Sequence, residues 1–185
     1  MKGFKDVIIL ILISTISGFC LSLVYAKTQA KIEAVKQESV RTALKNVADF
    51  MTDDPKKVDF EFSETETIPI YDVTINGEHL GAALEITTPE GFSGNIVFLM
   101  GVNQRGEITG FQILDAKETP GLGTKAADKA FWGQFVGRSL DTMTFKVKKD
   151  GGDVDAITAS TITSRAVTHA LEKGLKAYQA YRGGA

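Results

Sequence analysis

Residues 68–87 read IPIYDVTINGEHLGAALEIT, two β-rich runs that meet at Asn76-Gly77. Asn-Gly supplies two residues that accept positive φ, which the two-residue hairpin turn requires and which matches the twist of its strands. The stretch therefore predicts an antiparallel hairpin of residues 68–75 and 80–87. Residues 95–114, NIVFLMGVNQRGEITGFQIL, repeat the pattern around Arg105-Gly106 and predict a second hairpin, 95–103 with 107–114. Upstream, Val58-Asp59-Phe60-Glu61-Phe62 alternates as a strand with one face on a core.

The later segments mix helix with strand. Residues 124–136 carry Ala127, Ala130, Phe131 and Phe135 at helical spacing, residues 143–147 alternate again, and Lys149-Asp150-Gly151-Gly152 reads as a turn. Residues 161–181 predict a closing helix that turns Val167, Ala170, Leu171, Leu175 and Tyr178 inward. Antiparallel hairpins with packed, separated helices predict an α+β domain rather than alternating β-α-β units, which disfavours a doubly wound nucleotide fold. Gly91-Phe92-Ser93-Gly94, between the hairpins, reads as a structural loop.

Ahead of this domain, residues 7–24 read VIILILISTISGFCLSLV, eighteen uncharged residues, close to the minimum for a helix that crosses a bilayer. Two readings fit: a retained single transmembrane anchor, or a signal peptide with Lys2 and Lys5 as its basic region and Val24-Tyr25-Ala26 as its cleavage site. The apolar run exceeds the usual signal-peptide core, which favours the anchor. Lys2 and Lys5 favour a cytoplasmic N-terminus, while Lys27 and Lys31 just beyond the segment weaken that argument. Ile32, Val35, Val40, Ala43, Leu44, Val47 and Met51 then recur at three- to four-residue steps. They predict an amphipathic helix over 26–51, closed by Asp53-Asp54-Pro55, that could extend the membrane helix as a stalk. The expected organisation is an anchor at 1–26, a linker helix at 27–54 and a folded domain at 55–185.

Composition narrows the function. The 185 residues are 43% hydrophobic and 24% charged, ordinary for a globular chain. A net charge of −2 with scattered basic residues gives no footprint for nucleic acid. Cys20, the only cysteine, lies in the apolar segment, so the chain supplies neither a disulfide nor the ligands of an iron–sulfur cluster. With two well-separated histidines, His79 and His169, zinc and haem sites are disfavoured and no metal ligand is assigned. Any one-electron chemistry must come from a bound cofactor.

Residues 155–164, DAITASTITS, crowd hydroxyls at the start of the last predicted helix: Thr158, Ser160, Thr161, Thr163 and Ser164, with the small Ala159 among them. A helix N-terminus presents N–H groups without intrahelical acceptors and a partial positive charge, so it favours anions such as phosphate. Ser and Thr are also ordinary N-cap residues, and composition alone does not choose between a cap and a ligand site. The spacing is more specific. It resembles the flavinylation motif of the FMN-binding domain family, Asp-x-x-Ser/Thr-Gly-Ala-Thr-x-Thr-Ser, matching it at Asp155, Thr158, Thr161, Thr163 and Ser164 and departing from it at Ala159 and Ser160. The resemblance implies FMN held by a phosphoester to the Thr161 hydroxyl, made by a separate flavin transferase with FAD as donor.

Glu118-Thr119-Pro120-Gly121-Leu122-Gly123-Thr124-Lys125 is a Pro-Gly turn with a second glycine directly before a predicted helix. It lacks the spacing of a dinucleotide fingerprint or a Walker A loop, and alone it reads as a plain loop. Beside the Thr161 motif it resembles the segment that packs around the flavin in electron-transport members of the same family. That implies flavin contacts from Glu118, Thr119, Gly121, Leu122, Gly123, Thr124 and Lys125; on physical grounds Leu122 and Pro120 could cover a ring face and Lys125 could stabilise negative charge near N1 on reduction.

With its anchor, the chain resembles the G subunits of the Rnf ion-translocating ferredoxin:NAD oxidoreductase complexes. The resemblance implies an electron relay, with no catalytic residue of its own, on the extracytoplasmic side of a bacterial or archaeal cell membrane. Its implied partners are a second flavin-carrying membrane subunit and the iron–sulfur and NADH-binding subunits of a complex that exports Na⁺ or H⁺. Two alternatives stand beside it. One is the C subunit of the Na⁺-translocating NADH:quinone oxidoreductase, which shares the domain and motif but is usually longer. The other is a membrane-anchored flavin-binding sensor or scaffold that relays no electrons.

Overall fold

The computed structural model describes residues 2–52 and 55–184; Asp53 and Asp54, expected to help stop the first helix, lie outside them. The chain divides into two units, Met1–Ser39 and Val40–Ala185. In the first, helix α1 (Lys2–Val47) carries a row of exposed apolar side chains, among them Ile8, Ile11, Phe19 and Val24. Its most apolar 18-residue window has a mean hydropathy of 2.7 and none of it is buried, so α1 is long and apolar enough to cross a membrane. Ile32 and Val35, expected on the apolar stripe of an amphipathic helix, are exposed as well.

The second unit is built on five antiparallel strands in the order β1 (Lys56–Ser63), β2 (Glu66–Ile75), β3 (Glu78–Thr88), β4 (Ile96–Asn103) and β5 (Ile108–Ala116). Both predicted hairpins are present. Asn76 (φ 54°) and Gly77 (φ 83°) take the two positive-φ positions of the first turn. In the second, Asn103 Oδ1 accepts the N–H groups of Arg105 and Glu107, and Gly106 takes φ 79°.

Helix α3 (Thr161–Gly183) covers one face of the sheet. Val167, Ala170, Leu171, Leu175 and Tyr178 are buried as expected, and they share a core with Ile86, Phe98 and Met100. At its far end, Tyr178 donates to Asn103 C=O at 3.0 Å and its hydroxyl lies 2.8 Å from His79 Nε2, while His79 Nδ1 lies 2.8 Å from Asp72 Oδ1. Burial holds His79 below the ordinary histidine pKa against the opposing pull of Asp72, and burial pushes the Tyr178 phenol up to about 12. This network ties α3 to the first hairpin.

The other face receives the last turns of α1. Val40, Ala43, Leu44 and Val47 form a second core with Ala83 and Leu99. The helix ends at Val47, four residues short of the expected stop at Met51, where Thr109 Oγ1 donates to the Val47 carbonyl at 2.7 Å. The seat is made of glycine: a Cβ on Gly101 or Gly110 would stand 2.3 or 2.5 Å from Val47 O.

Two segments after the sheet also depart from expectation. The helix expected over 124–136 is a 3-10 turn (Gly123–Ala127), a single α-turn α2 (Lys129–Trp132) and a second 3-10 turn (Gly133–Phe135). Asp128 is extended (φ −78°, ψ 137°) and breaks the run. Phe131 and Phe135 are buried, but Ala127 and Ala130 are exposed. The strand expected at 143–147 does not form, because Val147 meets only Val154 in an isolated bridge; Phe145 and Val147 are buried as single side chains.

Candidate functional site

Ser160 is the N-cap residue of α3. A serine there ordinarily accepts the N–H of the second or third helical residue. Here the hydroxyl points elsewhere: Ser160 Oγ donates to Thr163 Oγ1 at 3.0 Å, and Thr163 Oγ1 donates to Glu118 Oε2 at 3.0 Å. The first helical bond runs from Ser164 N–H to Ser160 C=O at 3.1 Å. Among the described residues, the N–H groups of Thr161, Ile162 and Thr163 therefore have no acceptor, and the Thr161 hydroxyl has no partner. Three free donors at the positive end of a 23-residue helix favour an anion there.

Ser164 fixes the turn that leads into it. Fully buried, its Oγ accepts the Ile157 N–H at 2.9 Å and donates to Ser160 C=O at 2.8 Å. The turn also requires left-handed backbone at Ala159, φ 60°. A Cβ costs about 1 kcal/mol there, which glycine escapes. Ala159→Gly is accordingly expected to leave the thermal midpoint unchanged or raise it, by up to about 1 kcal/mol of stability. A melt that shows a loss larger than that would mean the turn is held otherwise.

In front of the helix end lies a cavity of about 320 Å³, lined by Phe92, Glu118, Thr119, Leu122, Gly123 and residues 159–163. Such a volume is at the lower end for ligand sites. Glu118, 7% exposed, stands at the junction of three segments. Besides accepting from Thr163 it accepts the Ser93 N–H at 3.4 Å, and Gly91 and Gly123 make room for it: a Cβ on Gly123 would come 2.1 Å from Oε2. Phe92, Leu122 and Ile162 expose apolar side chains there.

Eight of the expected site residues thus meet around one cavity: Glu118, Thr119, Leu122, Gly123, Ala159, Ser160, Thr161 and Thr163. Five others are near it without lining it. Gly121 (φ 75°) and Thr124 shape the loop, with Gly121 N–H donating to Thr124 Oγ1 at 3.0 Å. Ser164 is buried behind the turn. Lys125 and Thr158 line a second depression of about 260 Å³ together with Asp128 and Asp155. Sequence reasoning missed Phe92 and Ile162. The glycines that bracket Phe92 were a signal of close packing, and Ile162 is an apolar side chain at the second helical position, where it cannot reach the core.

The FMN-binding domain family matches residues 91–176, a span that contains both the cavity loop and the helix start. Relatives similar over nearly the whole chain include the G subunit of the ion-translocating oxidoreductase complex of Aliivibrio fischeri strain MJ11, 32% identical over 96% of this chain and 91% of the relative. Another is the G subunit of the Na⁺-translocating ferredoxin:NAD⁺ oxidoreductase complex of Acetobacterium woodii, 34% identical over 95% and 91%. A third is the G subunit of the ion-translocating oxidoreductase complex of Methanosarcina acetivorans, 32% identical over 97% and 96%.

Proposed function

The chain belongs to the family of G subunits of ion-translocating oxidoreductase complexes, and from that premise we propose that it carries FMN on Thr161 as an electron relay outside the membrane. It is an FMN-binding electron-transfer subunit of an Rnf-type, membrane-bound, multi-subunit complex. The observation that carries the site is the uncapped start of α3: among the described residues, three N–H donors and a hydroxyl without partners on one cavity wall.

These groups fit a flavin phosphate. The N–H groups of Thr161, Ile162 and Thr163 would hold its oxygens, and Phe92, Leu122 and Ile162 offer apolar surface to the ring system. The phosphoester forms when the Thr161 oxygen attacks the FMN phosphorus of FAD, the pyrophosphate bond breaks, AMP leaves, and the hydroxyl proton passes to the flavin transferase or to water. The bound flavin supplies one- and two-electron redox chemistry, which no side chain of this protein provides. Attachment through the phosphate leaves the ring electronics to its surroundings and serves retention outside the cell. In this reading residues 1–26 are the single anchor, residues 27–54 link them to the domain at 55–185, and the partners are a second flavin-carrying membrane subunit and the iron–sulfur and NADH-binding subunits.

Rapid mixing of the solubilised complex with reduced ferredoxin tests the relay. The flavin on this chain should be reduced and then reoxidised by NAD⁺ at least as fast as NADH appears. NADH formation with this flavin oxidised throughout would make the chain a scaffold or sensor.

A further inference from the structure

We infer that Glu118 is the positioning residue of the attachment site: through Thr163 it holds the Ser160 hydroxyl off the start of α3 and so keeps the phosphate-binding N–H groups open. The inference rests on the phosphate reading above and assigns a role to a carboxylate 45 residues from the threonine it holds.

A donor needs an acceptor, and the hydroxyl chain has a direction because it ends on a carboxylate. The Glu118 carboxylate oxygen is the acceptor at its end. Thr163 Oγ1 must therefore donate to Glu118, which leaves its lone pairs to accept from Ser160. Ser160 is locked into a rotamer that makes no cap bond, although its type and position are those of a strong N-cap. All three side chains are buried, so the hydroxyls are held by one another and by the carboxylate. Removing the carboxylate frees Thr163 to turn to its own helix and frees Ser160 to accept an N–H from Ile162 or Thr163, in competition with a phosphate. The same carboxylate accepts from Ser93, so the loop that carries Phe92 is set by the group that opens the helix.

The test is a double-mutant cycle on the full chain in detergent, read as the rate at which a flavin transferase with FAD loads it and, separately, as the affinity for inorganic phosphate from the amide shifts of Ile162 and Thr163. Glu118→Ala should slow loading and weaken phosphate binding by about fivefold, the size of a typical N-cap interaction. Glu118→Gln, whose amide oxygen still accepts from Thr163, should stay within about threefold of the parent. The decisive variant is Glu118→Ala/Ser160→Ala, which has no hydroxyl to close the cap and should return to within about threefold of Ser160→Ala alone. If it remains as slow as Glu118→Ala while Trp132 fluorescence shows a native fold, Glu118 acts by packing alone and the inference is overturned. Parent-like loading and phosphate binding by Glu118→Ala would overturn it as well. A parent chain that is never loaded defeats the covalent reading instead, and the phosphate arm then decides the role of Glu118.

Discussion

Replacing Gly110 with valine is expected to lift the end of α1 from the sheet and to lower the stability of the Val40–Ala185 unit by about 3–5 kcal/mol. Gly110 and Gly101 pair across β5 and β4. A Cβ on Gly110 would stand 2.5 Å from Val47 O and 2.7 Å from Val47 Cα. Those are backbone atoms, so no rotamer change relieves the clash. Neither glycine has a positive φ, so the requirement is space and not conformation. Retreat of the helix end re-exposes Val40, Leu44 and Val47, each worth about 1.5–3 kcal/mol when fully buried, and breaks the bond from Thr109 to Val47 C=O. Gly174→Ala is the control: its Cβ would meet Met100 Cε at 2.6 Å, the far end of a flexible side chain. That variant should cost less than about 1.5 kcal/mol. Denaturant unfolding of the full chain in detergent, followed through Trp132, the only tryptophan, measures both. Equal midpoints for Gly110→Val and the parent would contradict the seating.

Thr161→Ala is expected to give a chain that folds and assembles yet reduces ferredoxin-dependent NAD reduction to the level of membranes without the subunit. The Thr161 hydroxyl has no partner within the described protein and its side chain is only half-buried at the first helical position, so its removal costs little stability. The loss would therefore report on the cofactor and not on the fold. Thr161→Ser keeps the attacking oxygen and should keep part of the activity. Membranes from a strain in which the variant replaces the native chain, probed for assembly of the other subunits, supply the measurement. Full activity in Thr161→Ala would remove the attachment site from electron flow.

Parts of the architecture governed by local chemistry were readable from sequence. Asn76-Gly77 and Arg105-Gly106 specify turns by themselves, and the apolar stripe of α3 specifies a face. The segment 124–136 was misread because Phe131 and Phe135 have helical spacing while Asp128 takes the extended backbone of an N-cap and starts α2 afresh, a break that periodicity does not show. Residues 143–147 alternate, but a strand needs a neighbour to pair with, and only Val154 offers a bridge. The glycine seat for α1 carries no periodic signal, since its information lies in absent side chains on two strands. At the site, the Thr161 segment is contiguous and was legible as a motif. The contact of Glu118 with Thr163 and the approach of Phe92 depend on how the sheet edge meets the helix, which no local pattern encodes.

The most direct test of the covalent FMN site is mass analysis of denatured chain co-expressed with a flavin transferase, with ultraviolet in-gel fluorescence alongside. The native chain should fluoresce and gain the mass of FMN less one water, mapped to the peptide that holds Thr161, and Thr161→Ala should show neither. A native chain without added mass, or added mass that persists in Thr161→Ala, would contradict the account.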